Sequence, residues 1–201
     1  MNIQSEIQKM IHTSAQSLLQ VAENKELLHS FEKSVELIVD SYKKGGCLYV
    51  AGNGGSAADA QHIVAELVVR LHRDRNPIKA FAFTTDSSIL TAIGNDYDYD
   101  QLFSRQVQAA VGENDVFLAL TTSGNSPNIL NALKACREKG GKSILLSGRE
   151  GGKAKPLADV SIISPAQETY LIQESHIVIY HQLCYFLELG LVEAGICQYL
   201  D

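Results

Sequence analysis

Residues 47–57 read CLYVAGNGGSA, a short apolar run that leads into a glycine-rich turn. The run is typical of a buried strand, and the glycines allow a tight turn into a helix. The same alternation continues and predicts strands at 47–51, 79–83, 116–120, 143–146 and 160–163, with helices at 56–71, 87–93, 100–111 and 126–139 and a short turn near 153–157. Short apolar strands alternating with helices predict an α/β fold of three layers, in which helices cover a five-stranded parallel sheet.

The two ends of the chain have helical spacing of their apolar residues. Residues 1–44 predict two helices that break near residues 23–25, and residues 168–194 predict one long C-terminal helix. No repeat, low-complexity stretch or linker divides the sequence. We therefore expect one domain over residues 1–201, in which 1–44 forms a helical extension that packs on the sheet or on a neighbouring subunit.

Composition excludes several classes of protein. The 201 residues carry a formal net charge of −6, which argues against non-specific nucleic-acid binding. No basic segment followed by an apolar stretch opens the chain, and no apolar run approaches the roughly 20 residues of a membrane helix. The four cysteines are far apart, as expected of buried apolar residues in a reducing compartment. We expect a cytoplasmic protein with neither nucleic-acid nor membrane partners.

Two predicted strands run into loops suited to phosphate. Residues 52–57, GNGGSA, precede a helix, and a helix N-terminus with free N–H groups attracts anions. This loop also matches the dinucleotide pattern GxGxxA, but no acidic residue follows at the end of the second strand. Residues 121–127, TTSGNSP, supply four hydroxyls before a helix that Ser126 can cap, with Pro127 at its first position. Either loop alone could be an ordinary turn, whereas the pair favours a phosphorylated ligand.

Metal-binding residue types lie on two predicted helices. His62 and Glu66 are four residues apart on one face, a spacing that suits a shared metal but is more often a surface pair. On the last helix, Glu174 and His181 lie about 20° apart around the axis, whereas Gln173 and His181 lie about 80° apart. Angular position alone therefore prefers Glu174 as the partner of His181. Other histidines, such as His72 and His176, are interpreted as structural or surface residues.

Four motifs in order identify a family resemblance. They are GNGGSAADAQHIVAEL at 52–67, LTAIGNDYDYDQLFSRQV at 90–107, TTSGNSPNIL at 121–130 and T-x-x-IQE-x-H-x-x-x-x-H at 169–181. Together they resemble the sugar isomerase (SIS) domain and, within it, the phosphoheptose isomerases. The resemblance extends from the N-terminal helices to about residue 193. One departure is Leu171, at a position where relatives often carry arginine.

The resemblance implies a site and an assembly. It implies a homotetramer with active sites at subunit contacts, and one zinc ion per subunit held by His62, Glu66, Gln173 and His181. Here the family pattern replaces the angular preference for Glu174. Glu66 and His181 are the implied catalytic acid/base pair. The implied contacts to the sugar phosphate come from Asn53, Gly54, Gly55, Glu66, Asn95, Asp96, Thr121, Thr122, Ser123, Ser126 and Gln173.

The implied reaction is an aldose–ketose isomerisation. It converts sedoheptulose 7-phosphate to D-glycero-D-manno-heptose 7-phosphate through an enediol, as the first step towards activated heptose for lipopolysaccharide or capsule. A non-catalytic SIS protein of the DnaA initiator-associating type is the alternative, and a sugar-phosphate-sensing domain is a third. The presence of both Glu66 and His181 favours the enzyme, and the pattern of residues 1–201 predicts no DNA-binding domain.

Overall fold

The computed structural model describes residues 1–200. Five parallel strands form one sheet in the order β2-β1-β3-β4-β5. Their bounds are β1 Leu48–Gly52, β2 Ala80–Ala82, β3 Val116–Thr121, β4 Lys142–Ser147 and β5 Val160–Ile163. This confirms the predicted α/β fold with a five-stranded parallel sheet.

Seven α-helices surround or extend the sheet in this part of the chain. They are α1 Ile3–Glu23, α2 Lys25–Lys43, α3 Gly55–Val68, α4 Ser87–Asp96, α5 Ser104–Ala110, α6 Pro127–Glu138 and α7 Thr169–Glu193. Short 3₁₀ segments at Tyr99–Gln101 and Arg149–Leu157 complete the connections. None of the helices within residues 1–200 is long and apolar enough to cross a membrane.

Alternate residues of each strand face two separate cores. Val50 and Leu118 pack on one face with residues of α2, α3 and α7, whereas Phe117 and Ala119 pack on the other face with residues of α5 and α6. This follows from the two-residue period of a strand. All six residues of β3 are buried, because helices cover this central strand on both sides. The four cysteines are buried free thiols, as predicted.

The N-terminal helices meet at Asn24. This residue ends α1, and its side chain accepts a hydrogen bond from the backbone N–H of Leu27, so it also caps α2. Both helices pack against α7. One face of α1 stays open: Ile3, Ile7 and Ile11 are more than half exposed.

The structure adds two features that the sequence analysis did not resolve. The predicted helix at 100–111 is divided into a 3₁₀ turn and α5. The N–H of Leu102 donates to the Tyr99 carbonyl, three residues back, whereas the N–H of Val107 donates to the Phe103 carbonyl, four residues back. The C-terminal tail pairs with the segment after α3: Arg75 and Tyr199 form an antiparallel bridge, and the N–H of Leu200 donates to the carbonyl of Asp74. The chain end therefore covers the segment that follows α3.

Candidate functional site

A polar pocket lies at the carboxyl ends of β1 and β3. These strands are neighbours in register, with Gly52 opposite Leu120, so the loops that follow them meet at one edge of the sheet. The first loop turns at Gly54, whose φ of 56° suits glycine. The pocket is lined by Asn53, Ser56, Leu120, Thr121, Thr122, Ser126, Thr169 and Gln173.

Three helices begin at this pocket with open N-termini. In the described part of the chain, no side chain caps the first turn of α3, α6 or α7. Ser126 does occupy the N-cap position of α6, followed by Pro127, but the expected capping bond is absent there. Its hydroxyl instead lies 3.3 Å from that of Thr121, at the pocket wall. Uncapped N–H groups and hydroxyls together suit a phosphate group without any lysine.

Neighbouring segments hold the two loops in place. The side-chain amides of Asn53 and Asn128 exchange two hydrogen bonds of 2.9 Å, which tie the first loop to α6. The second loop packs against the turn after β4: a Cβ atom at Gly124 would collide with the carbonyl of Gly151, and the N–H of Ala154 donates to the Gly124 carbonyl at 2.9 Å. The conformation of both loops is therefore set before a ligand binds.

A second cluster consists of His62 and Glu66 on α3 and His181 on α7. One ligand atom from each lies within 4.8 Å of the others. Nε2 of His62 is 2.9 Å from Oε1 of Glu66, and the rings of His62 and His181 are 5.0 Å apart. Two imidazoles and one carboxylate are the donor set of a catalytic zinc site that keeps a position open for substrate, so these residues fit the ion.

Arg75 secures the end of the helix that carries Glu66. Its guanidinium donates to the backbone carbonyls of Glu66 and Leu67 at 2.8 Å each, and to Glu188 at 2.9 Å. The side chains of Arg75 and Glu188 are each only 1% exposed. A cation at the C-terminus of α3 also interacts favourably with the negative end of the helix dipole. The C-terminal end of α3, and with it Glu66, is therefore firmly held.

Gln173 lies at the pocket rather than within this cluster. A Cβ at Gly55 would collide with the Gln173 amide, so that amide sits over the first residue of α3. His62 is seven residues farther along α3, which is about 10 Å of helix rise, and His181 is about 12 Å beyond Gln173 along α7. Both α7 side chains lean towards the helix N-terminus, so Gln173 leans away from His181. Within one subunit, Gln173 belongs to the phosphate-type pocket.

Glu174 faces another part of the molecule. It lines an apolar groove with Ile3, Ile7 and Tyr170, beside α1, and one of its carboxylate oxygens is buried without a hydrogen-bond partner among the described residues. The angular preference for Glu174 as the partner of His181 is therefore wrong. Two residues seven apart share a helix face but are separated by about two turns along the axis.

The remaining expected residues lie around the pocket. Asn95 and Asp96 are exposed at the end of α4, where the Asn95 amide donates to Asp96 at 2.7 Å, and neither lines the pocket. Ser123 is half-buried in the second loop and its hydroxyl accepts from the N–H of Asn125. Ser56 and Thr169 line the pocket although the sequence analysis did not select them. Ser56 follows the glycines of the first loop at the start of α3, which was the available signal, whereas Thr169 begins α7, far from both loops in the sequence.

Comparisons with known proteins agree with this architecture. The family model described as the SIS domain matches residues 10–148. A phosphoheptose isomerase of Citrifermentans bemidjiense is 51% identical over 170 residues, which cover 85% of this chain and 88% of the relative. One from Aneurinibacillus thermoaerophilus is 48% identical over 186 residues, which cover 92% of each chain.

Solved structures give the same result. The phosphoheptose isomerase of Neisseria gonorrhoeae superposes with a TM-score of 0.87 at 36% identity, and that of Francisella tularensis with 0.89 at 32%. Each comparison covers 94% of this chain and 100% of the solved one. Both the sequence resemblance and the fold are therefore confirmed. The chain belongs to the SIS domain family and, within it, to the phosphoheptose isomerases, which are aldose–ketose isomerases.

Proposed function

We propose that this chain is a zinc-dependent enzyme that converts sedoheptulose 7-phosphate to D-glycero-D-manno-heptose 7-phosphate. The observation that carries the proposal is the grouping of Glu66 with two imidazoles on helices that begin at a polar, phosphate-type pocket. The names and identities of the relatives support the substrate.

Glu66 and His181 are the residues proposed to move protons. Isomerisation transfers a proton between C1 and C2 and a second proton between the two oxygens. The Glu66 carboxylate suits the carbon-bound proton, and the His181 imidazole, in the same cluster, suits the proton on oxygen. A bound zinc ion would polarise the sugar carbonyl. Glu66 is mostly shielded from water, with a side chain only 16% exposed, which favours directed proton transfer over exchange with solvent.

The polar pocket is proposed to hold the phosphate. Hydroxyls of Thr121, Thr122, Ser123 and Ser126, with backbone N–H groups of Gly54 and Gly55, would neutralise it. The residues proposed to bind the sugar are Asn53, Glu66, Asn95, Asp96 and Gln173. Asn95 and Asp96 are exposed, so they remain open to a substrate that extends beyond the pocket.

The complete site is proposed to form between subunits of a homotetramer. The proposed zinc ligands are His62, Glu66, His181 and Gln173. The helix spacing argues that the Gln173 ligand comes from a neighbouring subunit. Within one subunit, Gln173 and His181 are about two turns apart along α7. The open face of α1, with exposed Ile3, Ile7 and Ile11, offers apolar area for association. Light scattering should find particles of four chains, and a monomer would contradict this arrangement.

The use of the product in lipopolysaccharide or capsule and a cytoplasmic location are expectations from the sequence. The non-catalytic binding module is disfavoured, because a binding protein has no need of the Glu66–His181 pair.

Substitution of Glu66 tests the proposal. Glu66→Gln should lower kcat for sedoheptulose 7-phosphate by about 10²–10⁴-fold, the usual contribution of a positioned acid/base group. Glu174→Gln is the matched control, because it changes a carboxylate on the α1 side of the molecule, and it should keep near-normal turnover. Near-normal turnover of Glu66→Gln would contradict the catalytic assignment.

A further inference from the structure

Tyr180 connects the two helices that carry the metal-binding cluster. It precedes His181 on α7, is 1% exposed, and its hydroxyl lies 2.9 Å from Nδ1 of His62 on α3. Its ring packs edge-on against both histidines, with centroid distances of 5.5 Å to His62 and 5.0 Å to His181. One tyrosine therefore contacts both imidazoles of the cluster.

The Tyr180 hydroxyl also reaches a buried carboxylate. It donates to Oδ1 of Asp59 at 3.4 Å, and Asp59 lies one turn before His62 on α3. A tyrosine hydroxyl has one O–H to donate and lone pairs that accept. A protonated phenol held by a carboxylate directs its O–H to that carboxylate. Its oxygen then remains free to accept a hydrogen bond from His62.

The direction of the hydrogen bonds between Asp59, Tyr180 and His62 determines which nitrogen of His62 can bind a metal. If Tyr180 donates to Asp59, its oxygen accepts from Nδ1–H of His62, and Nε2 keeps its lone pair. Nε2 is the atom that faces Glu66 at 2.9 Å, within the cluster. Without the tyrosine oxygen, His62 can instead place its proton on Nε2 and donate to Glu66, which blocks metal binding. Metal-ligating histidines usually have such a partner on the second nitrogen.

We propose that Tyr180, held by Asp59, is a positioning residue that fixes the orientation and tautomer of His62 for metal binding. A carboxylate commonly fills this role directly, whereas here a tyrosine hydroxyl connects the carboxylate to the imidazole. The inference rests on the proposed metal site and adds Asp59 and Tyr180 to it.

Zinc affinity of the full-length apo-protein tests this arrangement. Zinc alone is titrated against a chelating dye into the wild type, Tyr180→Phe and Asp59→Asn. Tyr180→Phe keeps the ring packing and should bind zinc about 10–100-fold more weakly, the usual effect of losing such a partner. Asp59→Asn should weaken binding in the same direction. The double variant should resemble Tyr180→Phe, because both changes break one chain of hydrogen bonds.

Tyr42→Phe is the matched control. Tyr42 is also buried and its hydroxyl also donates a hydrogen bond, but to the backbone carbonyl of Lys79, immediately before β2, and not to a histidine of the cluster. The control should lose comparable thermal stability and keep its zinc affinity within about twofold, since it leaves His62 unchanged. If Tyr180→Phe bound zinc as the wild type does, or if Tyr42→Phe lost as much affinity, the positioning role would be refuted. A wild type without zinc affinity would overturn the metal site itself, and this inference with it.

Discussion

Replacing Arg75 by methionine removes the only positive partner that the structure gives the buried Glu188 side chain within residues 1–200. Both side chains are 1% exposed, and the ion pair has a distance of 2.9 Å. The guanidinium also donates to the carbonyls of Glu66, Leu67 and Asn76. Removing one member of a buried pair typically costs about 3–5 kcal/mol, because the remaining charge stays buried without compensation. For a chain of this size, that corresponds to a decrease in Tm of roughly 6–20 °C.

Urea and thermal unfolding at one fixed protein concentration measure this loss. Lys9→Met is the surface control: Lys9 and Glu6 form an ion pair of 3.1 Å with both side chains more than half exposed, so its loss should change the unfolding free energy by less than about 1 kcal/mol. The double variant Arg75→Met/Glu188→Leu should recover most of the stability, since no charge stays buried. An Arg75→Met protein within about 1 kcal/mol of the wild type would refute the reasoning.

Two further predictions concern other parts of the fold. Burial lowers the pKa of His176 to about 4, so the folded state resists protonation of this side chain. The neutral imidazole therefore makes its full contribution to the free energy of unfolding above pH 6.5. Roughly 3 kcal/mol of this contribution is lost as pH falls from about 6.5 to 4. His176→Leu should therefore flatten the dependence of unfolding free energy on pH in that window, and an unchanged slope would contradict this. Gly124→Ala should raise KM for the sugar phosphate at least tenfold, because a methyl group there collides with Gly151 and φ is +65°. Gly45→Ala, with φ +77° and open space around it, should affect stability only, and kinetics that do not distinguish the two variants would contradict this role for the loop.

The sheet was predictable because its signal is local. Each strand is a short apolar run between helices, and β3 is buried along its whole length, as its continuous apolar pattern indicates. The phosphate-type loops were predictable for the same reason, since residues 52–57 and 121–127 begin at the ends of β1 and β3. The capping role of Ser126 was not, because the alternative partner, the Thr121 hydroxyl, becomes a neighbour only when the loop closes.

The metal-binding cluster needed information that spacing does not contain. His62 and Glu66 have the spacing of many surface pairs, and only the packing of α3 against α7 brings His181 to them. Angular position on a helix selected Glu174, since it ignores the rise along the axis. The Arg75–Glu188 pair joins residues 113 positions apart, and no local pattern predicts such a contact.

The central claim is tested most directly by following the isomerisation of sedoheptulose 7-phosphate by the purified wild type. Turnover is measured before metal removal, after it, and again after zinc is added back. We expect turnover to disappear when the metal is removed and to return when zinc is added. A zinc-loaded protein that leaves the sugar phosphate unchanged would contradict the proposed reaction, and full activity of the stripped protein would contradict the role of the metal.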